Sequence, residues 1–162
     1  MPPKRSRTAV RNIVHIPRGK GPYANISSEQ DAFNKLIDKN MIDIIVKHTN
    51  EEISRRCSNY SDQRFVGDTD AVEILAPIGL LYASGSRKDS HLTTCDMFSS
   101  FGPSIYKCIM SEMRFKFLLL CLRFDDKVNR DPEDKFAAFR DLWALFISHC
   151  RESYVPHAYV TR

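Results

Sequence analysis

Between Phe115 and Phe124 the chain is apolar apart from Lys116 and Arg123, and Ser111 stands where an N-cap would. At about 100° per residue, Phe115, Leu118, Leu119 and Leu122 share one helical face, while Phe117, Leu120, Cys121 and Phe124 share nearly the opposite one. Only a strip of Glu112, Lys116 and Arg123 separates them. A helix apolar on two sides needs neighbours on both, which places Met110–Asp126 in the middle of a helical layer. The run is too short for a membrane span, which takes roughly 20 apolar residues.

The flanking pattern is helical as well. A Ser27/Gln30 capping-box spacing precedes Ala32, Phe33, Leu36 and Ile37. Asp38 or Asn40 caps a second helix whose inward positions are Ile42, Ile45, Val46, Thr49 and Ile53 and which runs out near Cys57. Residues 58–68 read as a polar connection. Asp68 or Thr69 starts a third helix with Val72, Leu75, Ile78 and Tyr82 inward, and Pro77 inside it predicts a kink or a late start. That helix stops at Ser84-Gly85-Ser86. A short helix or turn over 90–100 follows, and Gly102-Pro103 opens another that carries Ile105, Tyr106 and Ile109 toward the central one. After a charged loop, Asp131-Pro132-Glu133-Asp134 is a strong start signal. The helix it launches aligns Phe136, Phe139, Trp143, Phe146, Ile147 and Cys150 and must end before Pro156, while 158–161 reads as the beginning of a strand. The fold class is therefore mainly α, an array of about six or seven helices.

Composition adds an arm to this picture. Of 162 residues, 43% are hydrophobic and 27% charged, as in one domain with a real core. The net charge is +4, yet Lys4, Arg5, Arg7, Arg11, Arg18 and Lys20 all lie within the first 22 residues, where no acid appears. Removing those six cations leaves the remainder near about −2. Residues 1–22 also hold Pro2, Pro3, Pro17, Gly19, Gly21 and Pro22, a composition that predicts a flexible basic arm suited to phosphate by counterion release. Inside it, residues 4–7 (KRSR) read either as a weak nuclear address or nucleic-acid contact or as solvated charge, and residues 12–16 form a short apolar patch.

Chemistry-bearing residues are sparse. Cys57, Cys95, Cys108, Cys121 and Cys150 are odd in number and without a CxxC, which predicts reduced, mostly buried thiols of an intracellular protein. His149 and Cys150 are adjacent, but helix neighbours point about 100° apart and clasp one ion poorly. His15, His48, His91, His149 and His157 are scattered, and no P-loop or Ser-His-Asp arrangement is present. Asp125-Asp126 and Asp131/Glu133/Asp134 sit at helix boundaries, where capping and solvation account for them. The N-terminus has no apolar h-region of a secretory signal. Arg114 projects between the two apolar stripes, so its guanidinium is either anchored by a carboxylate or backbone carbonyl or free for a phosphate. Arg87 and Lys88, beside a glycine turn, are either a DNA-backbone contact or a solvated loop.

The order of these residues resembles piggyBac-type transposases. EILAPIGLLYASGSRK from Glu73 is similar to that family's E-I-x-A-x-I-G-L-L helix and Gly-containing turn. HLTTCDMFSS resembles its short segment ending in an aromatic, with Phe98 where Trp is usual. The stretch ending FLLLCLRFDD matches M-S-x-x-R-F-x-x-L-x-x-x-L-x-F-D-D at Met110, Ser111, Arg114, Phe115, Leu118, Leu122, Phe124, Asp125 and Asp126. DKFAAFRDLWALFISHC resembles the next helix, and the stretch from Asn12 to Phe33 is loosely similar to the lead into the domain. Pro77 and His157 depart from the pattern.

The resemblance implies a helical dimerisation and DNA-binding region over 23–154, with 155–162 the start of a truncated catalytic-domain strand. In the family the strand after Tyr-x-Pro carries the first of three metal-binding aspartates, and Tyr154-Val-Pro156 reproduces that approach. The sequence stops at Arg162, one position before such an aspartate. The expectation is a non-catalytic, transposase-derived chain, nuclear or otherwise cytoplasmic, without a cofactor of its own, a divalent metal such as Mg belonging to a catalytic domain beyond it. DNA affinity would be weak and sequence-tolerant, through the phosphate backbone, with Lys4, Arg5, Arg7, Arg11, Arg18, Lys20, Arg87, Lys88 and Arg114 as candidate contacts. The alternative is a protein-interaction module, a homodimer or a heterodimer with a related transposase, or a relic with no selected role. No membrane or small-molecule partner is expected.

Overall fold

The computed structural model describes residues 21–22, 26–128, 130–131 and 133–155. They form seven α-helices: α1 (Glu29–Leu36), α2 (Lys39–Arg56), α3 (Ala71–Arg87), α4 (Thr94–Met97), α5 (Ser104–Ile109), α6 (Glu112–Cys121) and α7 (Ala137–Ser153). A two-residue antiparallel ladder joins β1 (Gly21–Pro22) to β2 (Tyr154–Val155), with Gly21 opposite Val155 and Pro22 opposite Tyr154. Among the described residues no helix is long and apolar enough to cross a membrane.

Most helix starts follow from a single side chain that satisfies a backbone N–H the helix leaves unpaired. Ser28 accepts from the amide of Asp31, Asp38 from Met41, Asp70 from Glu73 and Ser111 from Arg114. Thr93 and Asp96 form a reciprocal capping box on α4. α3 ends on Lys88, which adopts a left-handed conformation and donates its N–H to the carbonyls of Ser84 and Gly85.

Three apolar clusters make the core. In the first, Met41, Ile42 and Ile45 of α2 meet Ile74 of α3 and Leu142 of α7. In the second, Ile53 and Val66 close on Phe117, Leu118 and Cys121 of α6. In the third, Leu80 of α3 packs with Met97, Phe98, Tyr106 and Phe115. α6 therefore contributes to two clusters, against α2 on one flank and α3 and α5 on the other. Burial pushes the Cys121 thiol above its ordinary pKa, and it does the same to the Tyr106 phenol, helped by the hydrogen bond that phenol donates to Asp89 (2.7 Å).

Several positions depart from the sequence expectation. α6 buries part of each face, Phe115 and Leu118 on one and Phe117 and Cys121 on the other, but Leu119 and Leu120 are 37% and 45% exposed, and the helix stops at Cys121, before Leu122 and Phe124. Those two residues still pack on the first cluster from the loop that follows. On α3 the buried positions are Ile74, Pro77 and Leu80, whereas Val72 is 78% exposed and Leu75 and Tyr82 also face outward. That stretch is apolar nearly all round, so its periodicity cannot set its rotation. α3 begins at Ala71 behind Asp70, two or three residues later than the expected start, and continues through Pro77 to Arg87 without interruption. On α5 only Tyr106 is buried, with Ile105 and Ile109 exposed.

Residues 58–68 are more than a polar connection. Val66 is buried there, and Tyr60 and Phe65 meet Phe117 edge to face, with ring centroids 5.3–5.8 Å apart. α7 starts at Ala137, later than the Asp-Pro signal implied, because Asp131 and Asp134 close turns on the amides of Glu133 and Phe136. Its fully buried residue is Leu142; Phe136 and Trp143 stay exposed at the edge of a ring ladder that runs on through Phe139 and Phe146. Of the cysteines only Cys121 is buried, and Cys95 and Cys108 are exposed, so mostly buried thiols is corrected too. The expected strand over 158–161 lies outside the described residues.

Among Gly67, Gly79, Gly85 and Gly102, the last has the tightest backbone approach. A Cβ built there would lie 2.3 Å from the carbonyl oxygen of Asp96 and 2.5 Å from that of Met97, whereas one at Gly67 would meet nothing within 4 Å. Gly102→Ala is expected to cost about 3 kcal/mol, and Gly67→Ala less than about 0.5 kcal/mol. Urea-unfolding midpoints of the two variants provide the comparison.

Candidate functional site

The densest polar arrangement among the described residues lies where α3 begins. Asn50, on α2, reads the backbone of Thr69 in both directions: its amide donates to the carbonyl (2.9 Å) and its oxygen accepts from the N–H (2.8 Å). The loop before α3 is thereby pinned to α2. From the other side Arg114 of α6 reaches across 41 residues to Glu73, with Nε to Oε1 at 2.7 Å and Nη2 to Oε2 at 2.5 Å. Its remaining N–H groups go to the carbonyls of Phe65 (2.8 Å), Gly67 (2.7 Å) and Asp68 (3.1 Å).

A guanidinium has five N–H donors, and here all five meet acceptors of the protein itself. The Arg114 side chain is 12% exposed, and it holds the Glu73 carboxyl below its ordinary pKa against a burial that pushes the other way. This arrangement leaves no donor for a phosphate, so Arg114 acts as a clamp between α6, α3 and residues 65–68.

Beside the clamp lies an open groove of about 600 Å³, lined by Asp68, Thr69, Asp70, Val72, Glu73, Ala76, Ile109 and Met110. Val72, Ala76, Ile109 and Met110 make part of its lining apolar. With Glu73 neutralised by Arg114, the carboxylates of Asp68 and Asp70, both exposed, give its rim a negative character.

A second knot centres on Glu52, which is buried on α2 and takes Arg55 (2.9 Å), Arg56 (2.6 Å) and Arg123 (2.9 Å). Burial raises its carboxyl pKa, but the Arg56 hydrogen bond and the charges of Arg123, Arg56 and Lys127 outweigh this and hold it low. Sequence reading missed Glu52; the available signal was an acid at helical spacing from Ile45 and Thr49 with arginines three and four residues on. It also missed Asn50, which no local pattern reveals because its partner is 19 residues away.

The candidate phosphate contacts are dispersed. Lys4, Arg5, Arg7, Arg11, Arg18 and Lys20 lie outside the described residues. Arg87 is exposed and pairs with Asp89 at 3.2 Å, and Lys88 is exposed on the left-handed residue that ends α3. The histidines are scattered as well: His48 contacts Glu51, His91 the Lys88 carbonyl, and His149 donates from Nδ1 to the Leu36 carbonyl (3.0 Å). His15 and His157 lie outside the described residues. The two acid groups are engaged separately, Asp125 in a bidentate pair with Arg130 (2.6 and 2.8 Å) and Asp134 with Arg140 (2.7 Å). Among the described residues no group of three or more His, Cys, Asp or Glu converges on a point that would hold a metal ion.

Comparison with known proteins agrees with this architecture. The family described as Transposase IS4 matches residues 28–161. The chain belongs to that transposase family. Among solved structures it is similar to a piggyBac transposase, seen by cryo-electron microscopy in a synaptic complex with hairpin DNA, at 37% identity and a TM-score of 0.79. The likeness covers 86% of this chain and 30% of that one, so the chain spans under a third of the length of the transposase it resembles. A search of curated proteins finds no match. The piggyBac-type character inferred from Glu73, Arg114 and the Met110–Asp126 signature is thus supported by sequence and fold together, and Arg114 and Glu73, which belong to two separate motifs of the resemblance, are each other's partners in space.

The clamp predicts an acid-labile body. Because Glu73 titrates lower folded than unfolded, its contribution is present above the unfolded value near 4.5 and is lost as pH falls through the lower folded one. Arg114→Ala should destabilise by about 3 kcal/mol at neutral pH and flatten that acid dependence. Arg114→Lys, a point charge without the fork, should recover less than half of the loss. Thermal melts of the three proteins between pH 3 and pH 7 test this.

Proposed function

We propose that this helical body is a DNA-holding part of a transposase and performs no strand chemistry itself. The observation that supports it best is the likeness, over most of this chain, to a piggyBac transposase in a complex with hairpin DNA. Contact would be made through phosphates, chiefly by the six cations of residues 1–22 together with exposed Arg87 and Lys88. A divalent metal such as Mg does not fit the acids present here. Both Asp125 oxygens are taken by Arg130, and Asp134 is turned to Arg140. Two-metal phosphoryl transfer needs several carboxylates converging on one point, so we assign that chemistry to a different domain. A nuclear location accords with DNA as the partner.

A second reading, association with another copy or a related transposase, is favoured by the outward apolar side chains Met113, Leu119 and Leu120 of α6.

Titration of the whole chain against duplex DNA at two salt concentrations, with and without residues 1–22, decides between these readings. The expected result is binding that weakens at least about tenfold from 50 to 200 mM salt and falls sharply without the arm. Equal, salt-insensitive binding by both forms, or none, removes the DNA reading. Light scattering that shows a dimer, lost in Leu120→Glu, would favour the second.

A further inference from the structure

The groove at the start of α3 combines features that rarely occur together on a solvent-facing surface. Val72, Ile109, Ala76 and Met110 give its lining an apolar part, and Asp68 and Asp70 add two exposed carboxylates. Val72 is 78% exposed and Ile109 46%, so this is apolar area that the described residues leave uncovered. Such a lining complements an occupant that is both apolar and cationic.

The chain carries such a segment. From Arg7 to Val14 the sequence reads RTAVRNIV, with Arg7 and Arg11 four apart and Val10, Ile13 and Val14 interleaved. No acid lies in the first 22 residues to offset those charges.

Reach is sufficient. Gly21 is fixed in the ladder with Val155. β2 starts five residues after His149, which binds the Leu36 carbonyl beside the α2 N-terminus. The groove is tied to Asn50, 12 residues along α2 from Asp38, or about 18 Å at the helical rise. Adding about 5 Å for the last turn of α7 and about 10 Å for one interhelical spacing puts the path at about 33 Å. The ten residues from Gly21 back to Arg11 reach up to about 34 Å.

We propose that the groove lined by Asp68, Asp70, Val72, Ala76, Ile109 and Met110 seats the Arg7–Val14 segment of the chain's own basic arm. The arm then has two competing partners, the groove and a phosphate backbone, and the same arginines serve both. Docking lowers apparent DNA affinity, and DNA displaces the docked arm. This last consequence rests on the proposed phosphate contacts; the docking itself does not.

The test separates the two. In the whole chain, without DNA, a photo-crosslinking benzoylphenylalanine at Ile13 should form intramolecular crosslinks to peptides containing residues 68–76 or 109–110. Trypsin cleavage after Arg7 and Arg11 should accelerate several-fold in Asp68→Asn/Val72→Ser, both positions being exposed, and stay unchanged in the control Asp43→Asn. Against duplex DNA the groove variant should bind several-fold more tightly than the unaltered chain. Crosslinks confined to other surfaces, or formed only between two copies, would overturn the proposal, as would equal cleavage of both variants. Correct crosslinks and faster cleavage, with no DNA binding by any variant, would sustain the docking and reject the phosphate reading alone.

Discussion

The body depends on one guanidinium. Arg114 leaves α6 and spends every N–H it has on α3 and on the loop before it, with two bonds to Glu73 and three to the carbonyls of Phe65, Gly67 and Asp68. Those carbonyls precede α3, the first of them closing the 3-10 turn Gln63–Phe65, and the clamp satisfies them. A lysine in that place would offer three donors from one point and could not match acceptors set around the edge of a planar fork. The clamp also explains how a chain with three separate apolar clusters behaves as one body: α6 lies between the second and third, and the ion pair fastens α6 to α3, which links the first and third.

Around it Glu52, Thr49 and Tyr106 are paired with groups distant in sequence. Glu52 gathers three arginines, one of them from the segment after α6, and Arg123 also donates its backbone N–H to the buried Thr49 hydroxyl (3.3 Å). Tyr106 anchors α5 through Asp89. Each is a charged or polar group whose burial would be costly alone and is compensated by a partner distant in sequence.

Local rules carried the sequence reading a long way. Ser111, Asp38 and the inward face Ile42, Ile45, Thr49 and Ile53 all follow from spacing and capping chemistry. They failed where a segment is apolar around its whole circumference. In EILAPIGLLY and FKFLLLC nothing in the pattern selects one face over another, so the exposure of Val72, Leu119 and Leu120 is set by neighbours. The aromatic face of α7 was legible as a stripe, but rings that stack on one another along the helix need not be covered, and Trp143 remains 43% exposed. Of the site, Arg114 was legible as an anchored cation because its stem lies between apolar stripes. Asn50 and Glu52 were not, since a long-range contact leaves no periodic trace.

The short ladder between Gly21–Pro22 and Tyr154–Val155 brings the way in and the way out of the helical body together, about 5 Å apart across one strand spacing. Tension on the basic arm is therefore borne first by the strand that follows α7, in shear along backbone hydrogen bonds, and only afterwards by the helices.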